Sequence, residues 1–316
     1  MIETKTNYPW GHAKRYNDST NYYKKLFSQR IQKISVDAGM TCPNRDGSKG
    51  SGGCIYCDNL TFNPFYCSPE KSITQQLEEG ITFFSKKYKT QKYLAYFQAF
   101  TNTYADFNIL KKLYDEALAH PSVIGIVIGT RPDCINEEIL DYLSFLAKKY
   151  YIVVEYGMES CYNKTLDFIN RCHTFEDSIK AVEMTVNRNI IIGAHFIFGL
   201  PGETTEMILN EAKIISQLPI NTLKLHQLQI IKETAIEKIF NSNPDLIIHF
   251  SAESYIELMV DFIERVKPSI VLERFISESP REKIAFPDWK GIKNFEIVHR
   301  IEKRLSERNT WQGKYF

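Results

Sequence analysis

The feature that most limits the fold of this chain is a regular alternation of short apolar runs with longer helix-like stretches. Runs rich in Val, Ile, Tyr or Phe lie at 31–36, 93–97, 123–128, 151–156, 190–198 and 222–228. Helix-like stretches fall between them, at 72–88, 105–120, 136–149, 164–187 and 204–217. Such alternation calls for an α/β fold, a parallel sheet under covering helices. Six strands fall short of the eight that close a full barrel. The expectation is a partial (β/α)6 TIM-like barrel; an open doubly wound sheet would show the same periodicity.

The rhythm changes after about Lys232. Residues 253–266 read as a helix, 269–276 as a short strand and 294–308 as an amphipathic helix, with Pro280, Pro287 and Gly291 marking a loop. The expected division is an N-terminal cap (1–30), a barrel (31–232) and a C-terminal α+β extension closing the barrel (233–316). The cap interleaves Tyr8, Trp10, Tyr16, Tyr22, Tyr23 and Phe27 with basic residues.

Net charge is +1, so no global field points to a nucleic acid or a membrane. Locally, residues 1–57 carry nine Lys/Arg against four Asp/Glu, and 281–316 carry nine against five. The two ends could meet as one basic, aromatic face beside the barrel mouth, suited to RNA; a solvated surface is the plainer reading. The chain opens without a secretory apolar region, and the longest apolar stretch, 190–201, is broken by His195 and too short to span a bilayer. A cytoplasmic protein with no membrane partner is expected.

Seven cysteines without a regular framework argue against a disulfide scaffold. Cys42, Cys54 and Cys57 form a C-x11-C-x2-C set just after the first strand, in a loop holding Gly47, Gly50, Gly52 and Gly53. Glycines let backbone N–H groups turn inward toward a charged centre. Three thiolates without an obvious fourth suit a cubane cluster with one open iron. Cys67 as a fourth ligand would instead give structural zinc.

With these residues on the page, the chain resembles the radical S-adenosylmethionine superfamily. Within it the chain is most similar to the YhcC/YtqA-like family, related to the radical domain of the elongator catalytic subunit. The resemblance rests on VDAGMTCPNRDGSKGSGGCIYC, YFQAFTNTY, IGTRPDCI, VEYGMES, INRCHT, FIFGLPGET, LKLHQLQIIK, LERFISESP and TWQGKYF, and spans essentially the whole chain. It implies a [4Fe–4S] cluster on Cys42, Cys54 and Cys57, with S-adenosyl-L-methionine bound at the open iron. Tyr56 fills the aromatic place before the last cysteine.

The likeness also implies cofactor contacts. Gln98, Thr101 and Asn102 end the second strand, where the superfamily often has Gly-Gly-Glu, a motif absent here. Arg131 ends the third strand; a salt bridge to Asp133 is its alternative. Arg171 matches the arginine that pairs with the methionyl carboxylate. Glu159 stands where many relatives have Gln, and Glu155 precedes it, with Lys224 as a possible ion-pair partner. His195 occupies a ribose-contacting position, or is a core histidine. The implied function is a radical enzyme modifying the wobble-uridine side chain of tRNA at carbon 5, served by an electron donor such as flavodoxin or ferredoxin. A small-molecule substrate, or a zinc-stabilised RNA-binding protein, are the alternatives. Acetyl transfer is not expected, since only Gly291 and Gly313 follow Gly202.

Overall fold

The computed structural model describes residues 8–58, 63–86, 91–98, 100–277 and 279–316. Its strands, in chain order, are β1 (Ile31–Val36), β2 (Lys92–Phe97), β3 (Val123–Thr130), β4 (Tyr151–Glu159), β5 (Ile191–Phe198), β6 (Thr222–Gln227), β7 (Ile230–Ile231), β8 (Val271–Arg274) and β9 (Ile284–Phe286). Seven of them form one sheet in the order β1-β2-β3-β4-β5-β6-β8, every pair parallel. β7 and β9 make a separate antiparallel ribbon. The architecture is the expected partial TIM-like barrel; the alternation alone was equally consistent with an open doubly wound sheet, and the strand order decides it. The short strand expected in the extension, β8, joins the same sheet as a seventh member.

The helices are α1 (Ser19–Phe27), α2 (Ile73–Ser85), α3 (Phe107–Ala119), α4 (Glu137–Ala147), α5 (Asn163–Phe168), α6 (Phe175–Thr185), α7 (Thr205–Gln217), α8 (Ala235–Ser242), α9 (Ala252–Ile263) and α10 (Asn294–Glu307). Ser72, Asp106, Asn136, Thr174, Thr204 and Ser251 each accept a first-turn backbone N–H, so the loop before each helix also fixes its start. Each such cap is worth ~1 kcal/mol. The helix expected over 164–187 is two helices. Asn170 and Cys172 take φ of 54° and 55° between them, and Thr174 starts α6 with a capping box. That break puts Arg171 in a loop.

Strand side chains alternate in two directions. Outward, Ile34, Ala95, Ile126, Ile128, Val154 and Leu223 pack with Leu77, Leu110, Leu140, Val182 and Ile208 of the helices in one core. Inward, Leu94, Val127 and Val153 form an apolar layer around Tyr23 of α1. α1 thus sits at the N-terminal ends of the strands and fills the gap between edge strands β1 and β8. Asp18 bridges to Leu272, and Lys33 of β1 reaches Glu273 of β8 at 2.6 Å.

The basic chain ends do meet: Lys14 pairs with Glu302 at 2.9 Å, and the Asn17 N–H donates to Gln312 at 2.8 Å. They meet beside α1, however, at the end opposite the mouth. Tyr23 is buried there in the inward apolar layer, Tyr16 against Phe275, and Trp10 against Tyr8 and His12. The expected RNA face beside the mouth is corrected accordingly. No helix among the described residues is long and apolar enough to cross a membrane.

Candidate active site

A cavity opens at the C-terminal ends of the strands, where barrel enzymes gather their chemistry. Cys42, Cys54, Cys57, Tyr56, Gln98, Thr101, Arg131, Glu155, Glu159, Arg171 and His195 all line it. Asn102 does not. It is 1% exposed, and its Nδ2 donates to the Gly129 carbonyl at 3.0 Å, so it ties the β2 loop to β3. Gln98 does face the cavity, its Nε2 donating to Ser35 Oγ at 2.9 Å.

The cysteine loop is built by its own turns and pinned from two sides. The Arg45 N–H donates to Cys42 O at 2.8 Å, and the Cys57 N–H to Cys54 O at 3.0 Å. Lys49 reaches Asp133 beyond β3 at 2.6 Å, and Asn170 Nδ2 donates to Gly53 O at 2.8 Å. Two donors approach Cys54 Sγ: Asn44 Nδ2 at 3.7 Å and Arg171 Nη1 at 3.6 Å. Burial, then Cys54, push the Cys57 thiol up to about 11, while Arg45 and Arg171 pull it down. Cys67 lies apart, donating to Ser35 O at 3.1 Å and lining a different hollow. Among the described residues, no group of three or more His, Cys, Asp or Glu side chains is drawn together around a single-ion position.

Arg171 is the hub. It donates to Gly157 O at 2.7 Å and His173 Nε2 at 3.0 Å, and pairs with Glu159 at 3.2 Å. Glycine at 157 makes this possible, since a Cβ there would stand 2.8 Å from Arg171 Nη2 and 2.7 Å from Glu159 Oε1. Burial works against the Glu159 carboxylate, yet His195 and Arg171 hold it down at about 2. His195 Nδ1 lies 3.1 Å from Glu159, and its Nε2 lies 3.3 Å from Arg274. A guanidinium can only donate, so Nε2 accepts and Nδ1 carries the proton. His195 is therefore no idle core residue. Arg131 makes the salt bridge the sequence allowed, gripping Asp133 through Nε at 2.8 Å and Nη2 at 2.9 Å, and it lines the cavity. Its Nη1 is buried without a hydrogen-bond partner among the described residues.

Below this layer lies a ring of buried charge. Glu155 stands between Lys33 at 2.9 Å and Lys224 at 2.7 Å, and Lys224 also donates to Tyr96 Oη at 3.0 Å. Burial raises the Glu155 carboxyl, but the two lysines outweigh it and hold it well below the usual range. Burial pulls Lys224 down to about 8 against the opposing pull of Glu155. Each Glu155 oxygen meets one lysine, so this residue builds the cavity floor while still lining the cavity. Sequence reasoning missed Arg45, Tyr96, His226 and Arg274, which also line the cavity. Lys224 and His226 alternate along β6, and that period-2 pattern of polar residues in an apolar run was the available signal.

The fold and this site define a barrel enzyme with three cysteines presented from the loop after its first strand. The chain belongs to the radical SAM superfamily: the superfamily model matches residues 45–215, and the Radical_SAM C-terminal domain matches 220–307. The protein YtqA of Bacillus subtilis is 32% identical over 96% of this chain and 93% of its own length. A tRNA uridine(34) acetyltransferase of Methanocaldococcus jannaschii is 31% identical over 37% of this chain and 22% of its own length. The structure of the archaeal Methanocaldococcus infernus Elp3 superposes with a TM-score of 0.68 at 17% identity, covering 89% of this chain. This chain spans 64% of that structure's length.

Superfamily members use a [4Fe–4S] cluster and S-adenosylmethionine. The residues present fit that pair. Three thiols face one cavity, two donors point at a sulfur, and an unpartnered guanidinium nitrogen lies buried in the same wall. Hydrogen bonds to sulfur and local charge are the features by which a protein tunes such a cluster.

Proposed function

We propose that this chain is a radical S-adenosylmethionine enzyme that modifies the wobble-uridine side chain of tRNA at carbon 5. The observation that carries the first half is Arg171, which joins the cysteine loop to the end of β4 by reaching both Cys54 and Glu159. In this reading Cys42, Cys54 and Cys57 hold the cluster. Arg171 takes the methionyl carboxylate, for which a guanidinium fork is the matching donor. Gln98 and Thr101 lie toward the methionyl amine, Tyr56 closes over the cluster, and Glu159 with His195 faces the ribose. When bound, the cluster would pass an electron from an external donor to the sulfonium of S-adenosylmethionine, supplying radical chemistry. The chain's own part is to orient the nucleoside, fix the His195 proton on Nδ1 and keep water from the floor.

The tRNA half is supported by the partial likeness to the tRNA uridine(34) acetyltransferase, over 121 residues. An external one-electron donor such as flavodoxin or ferredoxin completes the proposal. Two measurements test it. Anaerobically reconstituted protein should hold iron and sulfide, which Cys42→Ala, Cys54→Ala or Cys57→Ala each abolish and Cys67→Ala does not. Stoichiometric zinc without sulfide would return the zinc reading. Nucleosides of tRNA from cells lacking the gene should show an altered uridine-34 side chain; an identical profile refutes the substrate and leaves a small molecule in its place.

A further inference from the structure

Three guanidinium groups surround the cysteine loop, each associated with a different cysteine. Arg171 directs Nη1 at Cys54 Sγ, 3.6 Å away. Arg131 is close enough to Cys42 for their charges to interact. Arg45 donates from Nη2 to the backbone carbonyl of Cys57 at 3.0 Å. Their charges are not equally available. Arg171 faces Glu159 at 3.2 Å, and Arg131 faces Asp133 at 2.8 Å. Arg45 makes no ion pair with a carboxylate among the described residues, and it lines the same cavity.

The loop is shaped around this side chain. Gly53 takes φ of +81°, and a Cβ on it would come within 2.8 Å of Arg45 Nε. Across from it, the guanidinium carbon stands 6.0 Å from the Phe100 ring centre.

We infer that Arg45 sets the redox poise of the cluster, raising its reduction potential by keeping an uncompensated positive charge at Cys57. The inference rests on the cluster reading above. Reduction adds one electron from an external low-potential one-electron donor to a centre already ligated by three thiolates. No bond breaks and no proton moves in that step. A nearby positive charge favours the more negative, reduced state, and net charge is among the levers that set cluster potentials. Arg45 is exposed, so salt should screen its effect, unlike that of buried Arg131 and Arg171.

The test is a potentiometric titration of the reconstituted full chain without S-adenosylmethionine, read by the paramagnetic signal of the reduced cluster. Arg45→Gln keeps a donor for Cys57 O and removes the charge; Arg45→Lys keeps the charge. At a fixed potential, Arg45→Gln should lower the reduced-to-oxidised ratio about tenfold, a shift of about 59 mV for one electron. Arg45→Lys should titrate with wild type. Added salt should move wild type toward Arg45→Gln and leave that variant still. An Arg45→Gln protein with full iron and sulfide that titrates with wild type overturns the inference, as does Arg45→Lys falling equally far. Should Arg45→Gln assemble no cluster, the salt titration of wild type and Arg45→Lys decides, and a potential indifferent to salt overturns it. Wild-type protein without iron and sulfide would refute the cluster reading instead.

Discussion

Arg171 shows how one residue takes its role from its neighbours. Its guanidinium is buried among Cys54, Gly157 O, Glu159 and His173, so it is held before any ligand arrives. Arg171→Ala should leave the iron and sulfide content intact, because all three cysteines come from another loop. S-adenosylmethionine affinity should fall by roughly 1.5–3 kcal/mol, the worth of a charge-assisted contact. Equilibrium binding to the reconstituted protein measures this; unchanged affinity removes the carboxylate role, and a lost cluster makes Arg171 a support for the loop. Beside Arg171, His173 is no second cation, because burial and then Arg171 press it down to about 4. Arg171 was legible as a motif residue, whereas Arg45 was not, since nothing in an Asn-Arg-Asp turn distinguishes it from a solvated side chain.

At the scale of elements, the turn after β5 is fastened to β4 and α7 by two buried acids. Ser160, just beyond β4, donates to Glu203 at 2.6 Å and lies 3.3 Å from Glu211 of α7, whose Oε1 also accepts the Cys161 N–H at 2.8 Å. Burial pushes Glu203 up to about 7, and burial with Glu203 raises the Glu211 carboxyl well above its ordinary value. A carboxyl raised on folding stabilises the fold while protonated. That contribution is complete below an unfolded value of ~4.3 and is lost as pH climbs through the folded value. Thermal stability should therefore decline between pH 5 and 8, and Glu203→Gln should flatten the decline. A melting-temperature series that keeps the wild-type slope in Glu203→Gln would count against this. Glu159 and Asp133, both held at about 2, act oppositely: their stabilisation is present above the unfolded carboxylate range and is lost only as pH falls toward 2. The split of 164–187 into α5 and α6 belongs to this scale too, because apolar periodicity runs across the break while Asn170, Cys172 and Thr174 interrupt the backbone.

For the whole molecule, the barrel has a closed end and an open one. α1, with Tyr23, closes the N-terminal end, and the cavity opens at the other. On the proposed reading a tRNA would approach the open end, where Lys232, Arg281 and Lys290 stand exposed around the β7–β9 ribbon. Changing these three to Ala should weaken tRNA binding and flatten its salt dependence, since phosphate contacts release counterions. Changing Lys14, Arg15, Lys24 and Lys25 together should do neither. Titrations at several salt concentrations would compare them; loss confined to the fourfold variant would place RNA at the closed end. The gap between β1 and β8 is spanned by Lys33 and Glu273, which with Glu155 and Lys224 form a chain in which removing any one member strands a buried charge.

Six of the strands, most of the outer helices and the three-cysteine spacing were readable from the chain, because each is a local pattern: an apolar run, a helical periodicity, a spacing along one loop. β8 as a seventh parallel strand, α1 as the barrel floor, and the partners of Asn102, Glu155 and Arg45 were decided only by the folded chain. Each depends on which distant group a side chain meets. Glu155 meets Lys33, 122 positions away, and no local pattern carries the identity of a partner so far along the sequence.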